Sequence, residues 1–174
     1  MNAAACADTV PPLVALGGVA VLRSSSGERA IPLQELFVRP YETRAAEDEL
    51  LSAIRFPVPR PSMTGAFLKL GRRNALAISR LSVAAMVDRS ADGHITEARI
   101  VPGAALPTWM RVTDAEALLI GERPSKKLFA AAALKVAEIM IHYTGRRGST
   151  EYKEPVLPVL VRRALESCCG GMVP

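Results

Sequence analysis

The sequence predicts an α+β protein in which a three-stranded antiparallel sheet packs with helices, behind a smaller partial subdomain. Three observations carry that expectation. Pro57-Val58-Pro59-Arg60-Pro61 divides residues 1–60 from 61–174, because prolines withhold ladder donors and fix φ. After it come three β-rich runs, the last two joined across Asp92-Gly93, a dipeptide suited to a tight hairpin. The remainder is helical, and strands followed by helices imply an α+β layer with helices on one face of the sheet.

In the first segment, Asp8-Thr9-Val10-Pro11-Pro12-Leu13 running to Gly17-Gly18 reads as a capped helix start, prolines in the first turn and a glycine stop. Val19 to Leu22 is a strand, Ser24 to Gly27 a turn, and Arg29 to Leu33 a second extended piece leading into a helical turn at Gln34 to Phe37. Glu49 to Phe56 is a strand that the prolines end. These are few elements for a closed core.

In the second segment, Thr64 to Leu70, Ser79 to Val87 and His94 to Pro102 are the three strands, with a Gly-Arg-Arg-Asn turn after the first. Asp114 to Gly121 is a short helix. Ser125 to Ile141 is a longer one, N-capped by Ser125, with Leu128, Ala132, Val136 and Met140 on one face. A last helix covers Leu160 to Ser167 and stops at Gly170-Gly171, its start delayed or kinked by Pro155 and Pro158.

At 174 residues, 49% hydrophobic and 22% charged, the composition is globular and the chain can bury a real core. Aromatics are 5%, which leaves the packing to Ala, Leu and Val. The net charge of +5, with an isoelectric point near 9.4, favours anionic partners. The arginine doublets at 72–73, 146–147 and 162–163 are scattered through apolar sequence, unlike the basic stripe with aromatics of a nucleic-acid module. No run reaches the ~18 apolar residues of a membrane span. Three cysteines in no framework spacing point to a reducing cytoplasm. His94 and His142 have no partner at metal-ligand spacing.

No single motif here is a catalytic signature: there is no Walker loop, GxGxxG, nucleophile elbow or metal-spaced His/Cys set. Several strings in order and spacing carry more. Ala7-Asp8-Thr9-Val10-Pro11-Pro12-Leu13, Asp48-Glu49-Leu50-Leu51-Ser52-Ala53-Ile54, Ala66-Phe67-Leu68-Lys69-Leu70-Gly71-Arg72-Arg73 and Ala77-Ile78-Ser79-Arg80 resemble the FAD-binding (medium) subunit of the xanthine dehydrogenase and carbon monoxide dehydrogenase family, the molybdenum hydroxylases. Glu97 to Ile100, Arg147 to Tyr152 and Leu160 to Leu165 resemble its C-terminal domain. The likeness runs over essentially the whole chain.

The resemblance implies FAD as cofactor, and an iron-sulfur subunit and a molybdopterin subunit as partners. Electrons would pass from iron-sulfur clusters through FAD to NAD or another acceptor, so this would be an oxidoreductase subunit with no acid, base or nucleophile of its own. It also implies that the family's glycine-rich pyrophosphate loops lie before the first residue here, which leaves FAD binding by this chain alone in question. Asp8 matches the acidic position near the flavin, Leu51 an aliphatic contact and Lys69 the basic residue beside the isoalloxazine. An ammonium there would stabilise the charge that flavin gains on reduction.

Each of the three has a plainer reading. Asp8 suits a helix N-cap, Leu51 a core position, and Lys69, in an otherwise apolar strand, must face solvent or a ligand. Arg72, Arg73 and Arg80 suit phosphates, a solvated face or a neighbouring subunit. A second function class is a non-redox module for subunit docking or self-association, a homo-oligomer whose apolar patch would be Ala3 to Leu22.

Overall fold

The computed structural model of the chain describes residues 2–73, 76–146 and 148–170. Along the first segment run α1 (Val10–Ala15), β1 (Val19–Ser24), β2 (Gly27–Pro32), α2 (Leu33–Leu36), β3 (Phe37–Arg39), β4 (Glu42–Thr43) and β5 (Leu50–Arg55). β1 is the middle strand of an antiparallel sheet ordered β2-β1-β5, and β3 and β4 form a small ladder. α1 carries prolines in its first turn, where their missing N–H groups cost nothing. Its N-cap is Thr9 and has no side-chain cap bond. Asp8 therefore does not cap the helix. The stop is as expected: Gly17 has φ +75° and Gly18 N–H donates to the Leu13 carbonyl at 2.8 Å.

The three strands after the prolines are β6 (Thr64–Leu70), β7 (Leu81–Arg89) and β8 (Ile95–Gly103), antiparallel and in the order β6-β7-β8. The fold class is that expected, α+β with a three-stranded antiparallel sheet. Gly93 takes φ +90° in the turn between β7 and β8, which a glycine allows without strain. The helices are α3 (Thr113–Ala117), α4 (Lys126–Thr144) and α5 (Gly148–Cys168). Ser125 caps α4, its hydroxyl accepting from Leu128 N–H at 3.1 Å. α3 is shorter than expected and α5 longer.

α5 starts before Pro155 and runs through both prolines. The reason is tertiary. Leu157, Val161, Ala164, Leu165 and Cys168 are buried against the sheet and α4, which outweighs two lost ladder bonds. Pro155 is exposed, and Pro158 is half-buried beside a hollow that it shares with α4.

Helices cover both faces of the sheet, not one. On one side Leu81, Val83, Ala85, Val87, Ile95, Ala98 and Ile100 meet Phe129, Ala132, Val136 and Met140 of α4 and the apolar side of α5. On the other, Ala84, Met86 and Val101 join Val14, Ala15, Ala20, Leu22, Leu33 and Leu36 of the first segment. This is why β7 is buried from Leu81 to Asp88 without alternation. It is also how a segment with few elements closes its core. The apolar patch expected at Ala3 to Leu22 is largely absent: Ala3, Val14, Ala15, Ala20, Val21 and Leu22 are buried within the chain. No described helix is long and apolar enough to cross a membrane.

Candidate functional site

The start of the chain is held against one end of the large sheet. Ala104 N–H donates to the Ala5 carbonyl at 3.1 Å, and Pro11 of α1 lies directly over Gly103, where a Cβ would come within 2.8 Å of Pro11 Cγ and 2.2 Å of Ser82 Oγ. That packing brings Asp8 to the hairpin formed by β6 and β7. The hairpin's base is closed by Leu70 opposite Leu81 and by Arg80 N–H donating to the Leu70 carbonyl at 2.8 Å.

Asp8 is met there from both arms. Lys69, near the end of β6, donates from Nζ to Asp8 Oδ2 at 2.6 Å. Ser79, just before β7, donates from Oγ to Asp8 Oδ1 through a short hydrogen bond. Both charged side chains are 34% exposed, so the pair faces outward, whereas Ser79 is buried. Burial works to raise the Asp8 carboxyl, but the hydrogen bonds from Lys69 and Ser79, together with the Lys69 charge, hold it below the usual carboxylate range. Among the described residues the Lys69 ammonium has Asp8 as its one hydrogen-bond partner, which leaves two of its protons for water or a ligand.

Leu51 lies elsewhere. It sits on β5 opposite Leu22, half-buried, and lines an apolar cavity of about 380 Å³ with Ala7, Thr9, Val10, Leu13, Phe37 and Trp109 among its walls. A different hollow, about 440 Å³, is lined by Arg72, Arg73, Leu76 and Ala77 to Arg80. Asp8 stands between the two, its neighbours Ala7 and Thr9 on the first and its partner Ser79 on the second. The structure thus joins Asp8 to Lys69 and leaves Leu51 without direct contact to either charged group. Ser79 is the residue that sequence reasoning missed. It stood in the string Ala77 to Arg80, but a lone serine beside a strand carries no chemical signal until its partner is known.

Four of the other candidates, Arg73, Arg80, His94 and His142, have structural partners. Arg73 donates to the Leu76 carbonyl at 2.6 and 3.2 Å, and the Arg80 guanidinium lies 4.7 Å from the ring centre of Tyr152 on α5. His94 Nδ1 is 2.8 Å from Asp92 Oδ2, and His142 meets Tyr143 edge to face. Cys6, Cys168 and Cys169 are free thiols. Burial pushes the Cys168 thiol up to about 12, which makes it inert. Among the described residues no group of three or more His, Cys, Asp or Glu is placed to hold a metal ion.

Residues 66–168 match the family model of the CO dehydrogenase flavoprotein C-terminal domain, more than half of the chain. The chain belongs to that flavoprotein family. Residues 1–59 match the FAD binding domain in molybdopterin dehydrogenase, so FAD is the cofactor that goes with this family. Among curated relatives, the nicotine 6-hydroxylase medium subunit of Paenarthrobacter nicotinovorans is 33% identical over 153 residues, which cover 88% of this chain and 53% of that one. The xanthine dehydrogenase FAD-binding subunit of Escherichia coli O157:H7 is 25% identical, covering 98% and 58%. A solved carbon monoxide dehydrogenase from Hydrogenophaga pseudoflava, which lacks the Mo-pyranopterin moiety of its cofactor, superposes with a TM-score of 0.88 at 26% identity, covering 97% of this chain and 58% of that one. The chain therefore spans a little over half the length of these members of the family.

Proposed function

We propose that this chain is part of the FAD-binding subunit of a molybdenum hydroxylase, with electrons passing from iron-sulfur clusters through FAD to NAD or another acceptor. The observation that supports this most is the outward-facing Lys69–Asp8 pair, whose ammonium keeps two protons for a ligand. Bound FAD supplies the redox chemistry. With FAD bound, the Lys69 ammonium would stabilise the negative charge that the ring gains on reduction, which would favour the reduced form and raise the potential. Asp8 holds that ammonium in place and prevents it from swinging into solvent. Leu51, on its apolar cavity, gives an aliphatic wall that excludes water from the other side of Asp8.

In this reading residues 1–60 contribute to the FAD-binding subdomain and 61–174 form the flavoprotein C-terminal domain. Partners are an iron-sulfur subunit and a molybdopterin subunit, and the compartment is the cytoplasm, where free thiols persist. Titration of the chain with FAD, followed by flavin absorbance and fluorescence, tests the reading. Saturable micromolar binding that weakens in Lys69→Ala is the expected result. Absence of binding up to millimolar FAD would overturn it for this chain and favour a docking or self-association module.

A further inference from the structure

Asp8 has two carboxylate oxygens and they are used differently: Oδ2 accepts from Lys69 Nζ at 2.6 Å and Oδ1 accepts from Ser79 Oγ. An ionised carboxylate carries no proton, so the serine hydroxyl must be the donor. Left alone, an aspartate carboxylate turns broadly about its last torsion, and a lysine ammonium on a flexible stem follows it or sits astride both oxygens. With Oδ1 bound to Ser79, turning the carboxylate would cost that hydrogen bond, and Lys69 meets it on Oδ2.

Ser79 is itself fixed. It is 5% exposed, and the next residue closes the hairpin through Arg80 N–H to the Leu70 carbonyl while its guanidinium rests on Tyr152 of α5. The two arms of one hairpin therefore grip Asp8, Lys69 from β6 and Ser79 from the approach to β7. The geometry points to Ser79 as a positioning residue, which locks the Asp8 carboxylate so that Lys69 is held on one oxygen and presents its remaining ammonium protons to the flavin. This rests on the reading of Lys69 and Asp8 as the flavin-facing pair. The carboxyl's position below its usual range is consistent with it, since Ser79 is one of the donors responsible.

The test compares Ser79→Ala with Ser79→Thr, which keeps a hydroxyl, in the same chain. The Asp8 carboxyl is followed by carbon-13 NMR through an acid titration, and FAD is then added to read its dissociation constant and midpoint potential. In Ser79→Ala the Asp8 titration is expected to move upward, FAD binding to weaken roughly threefold to tenfold, and the flavin potential to fall. Ser79→Thr is expected to restore all three. An Asp8 titration unmoved in folded Ser79→Ala would overturn the proposal, as would a potential that moves without rescue by Ser79→Thr. If the unsubstituted chain binds no FAD although Ser79→Ala shifts the Asp8 titration, the flavin reading falls alone and the grip of Ser79 on the pair stands.

Discussion

Lys69 and Asp8 lie 61 positions apart in sequence, yet Nζ of one and Oδ2 of the other are 2.6 Å apart beside the closed end of the β6–β7 hairpin. With both side chains about one-third exposed, such a pair adds little to stability, about 0–1 kcal/mol. In the proposed function its use lies at the flavin. Lys69→Ala is expected to leave the urea midpoint nearly unchanged while it weakens FAD binding about tenfold or more, the loss of one charge-assisted contact. Unfolding and flavin titrations on the same preparation separate the two effects. A large fall in stability with unchanged FAD affinity would make the pair purely structural.

Gly103 is where the first segment meets the large sheet. A methyl group there would lie 2.2 Å from Ser82 Oγ and 2.8 Å from Pro11 Cγ, and a proline ring cannot turn aside. Gly103→Ala is therefore expected to cost about 1–3 kcal/mol, the usual penalty of overpacking, measured by urea denaturation. Adding Ser82→Ala should recover the part that the hydroxyl causes and leave the part that Pro11 causes.

Most of the fold was legible because its signals are local. The three strands from Thr64 to Gly103 followed from β-rich runs and Asp92-Gly93, and α4 from its Ser125 cap and apolar spacing. What was not legible depended on contacts distant in sequence. α5 runs through Pro155 and Pro158 only because the sheet and α4 bury its inner side. α1 covers the second face of β7, which no periodicity within either element reveals. At the candidate site, Asp8 suited a helix cap by sequence and instead turns to Lys69 and Ser79. A carboxylate with two strong donors elsewhere does not turn back to cap a six-residue helix.

Glu116 on α3 is a buried carboxylate with a defined task. Its Oε1 accepts from Ile100 N–H of β8 at 2.8 Å and its Oε2 from Arg111 at 2.7 Å, while its side chain is 5% exposed and that of Arg111 35%. Hydrogen bonding to Glu116 holds the Arg111 guanidinium above its usual range, with burial opposing. Glu116→Ala would leave the Ile100 amide buried without a partner and Arg111 without its anion, an expected loss of about 2–4 kcal/mol. Glu116→Gln keeps an acceptor for Ile100 and should cost less. Equal losses in the two variants, measured by urea denaturation, would show that the charge and not the amide contact matters.

Glu49 gives the clearest pH dependence. Arg29 donates to it twice, Nε to Oε1 at 2.5 Å and a terminal nitrogen to Oε2 at 2.7 Å, and Ala46 N–H donates to Oε2 at 2.7 Å. The Arg29 hydrogen bonds first, then the Ala46 amide, and the Arg29 charge lower its carboxyl to about 2 from the ordinary 4.5. Because the folded value lies below the unfolded one, the pair's stabilisation is complete above the unfolded value and is lost as pH falls towards about 2. Stability measured by urea denaturation across that acid range should therefore fall more steeply in the parent chain than in Glu49→Gln, which has no carboxyl to protonate. The two curves should run parallel at neutral pH, with the parent higher. Parallel curves throughout the acid range would mean that the Arg29–Glu49 contact is too mobile in solution to shift the titration.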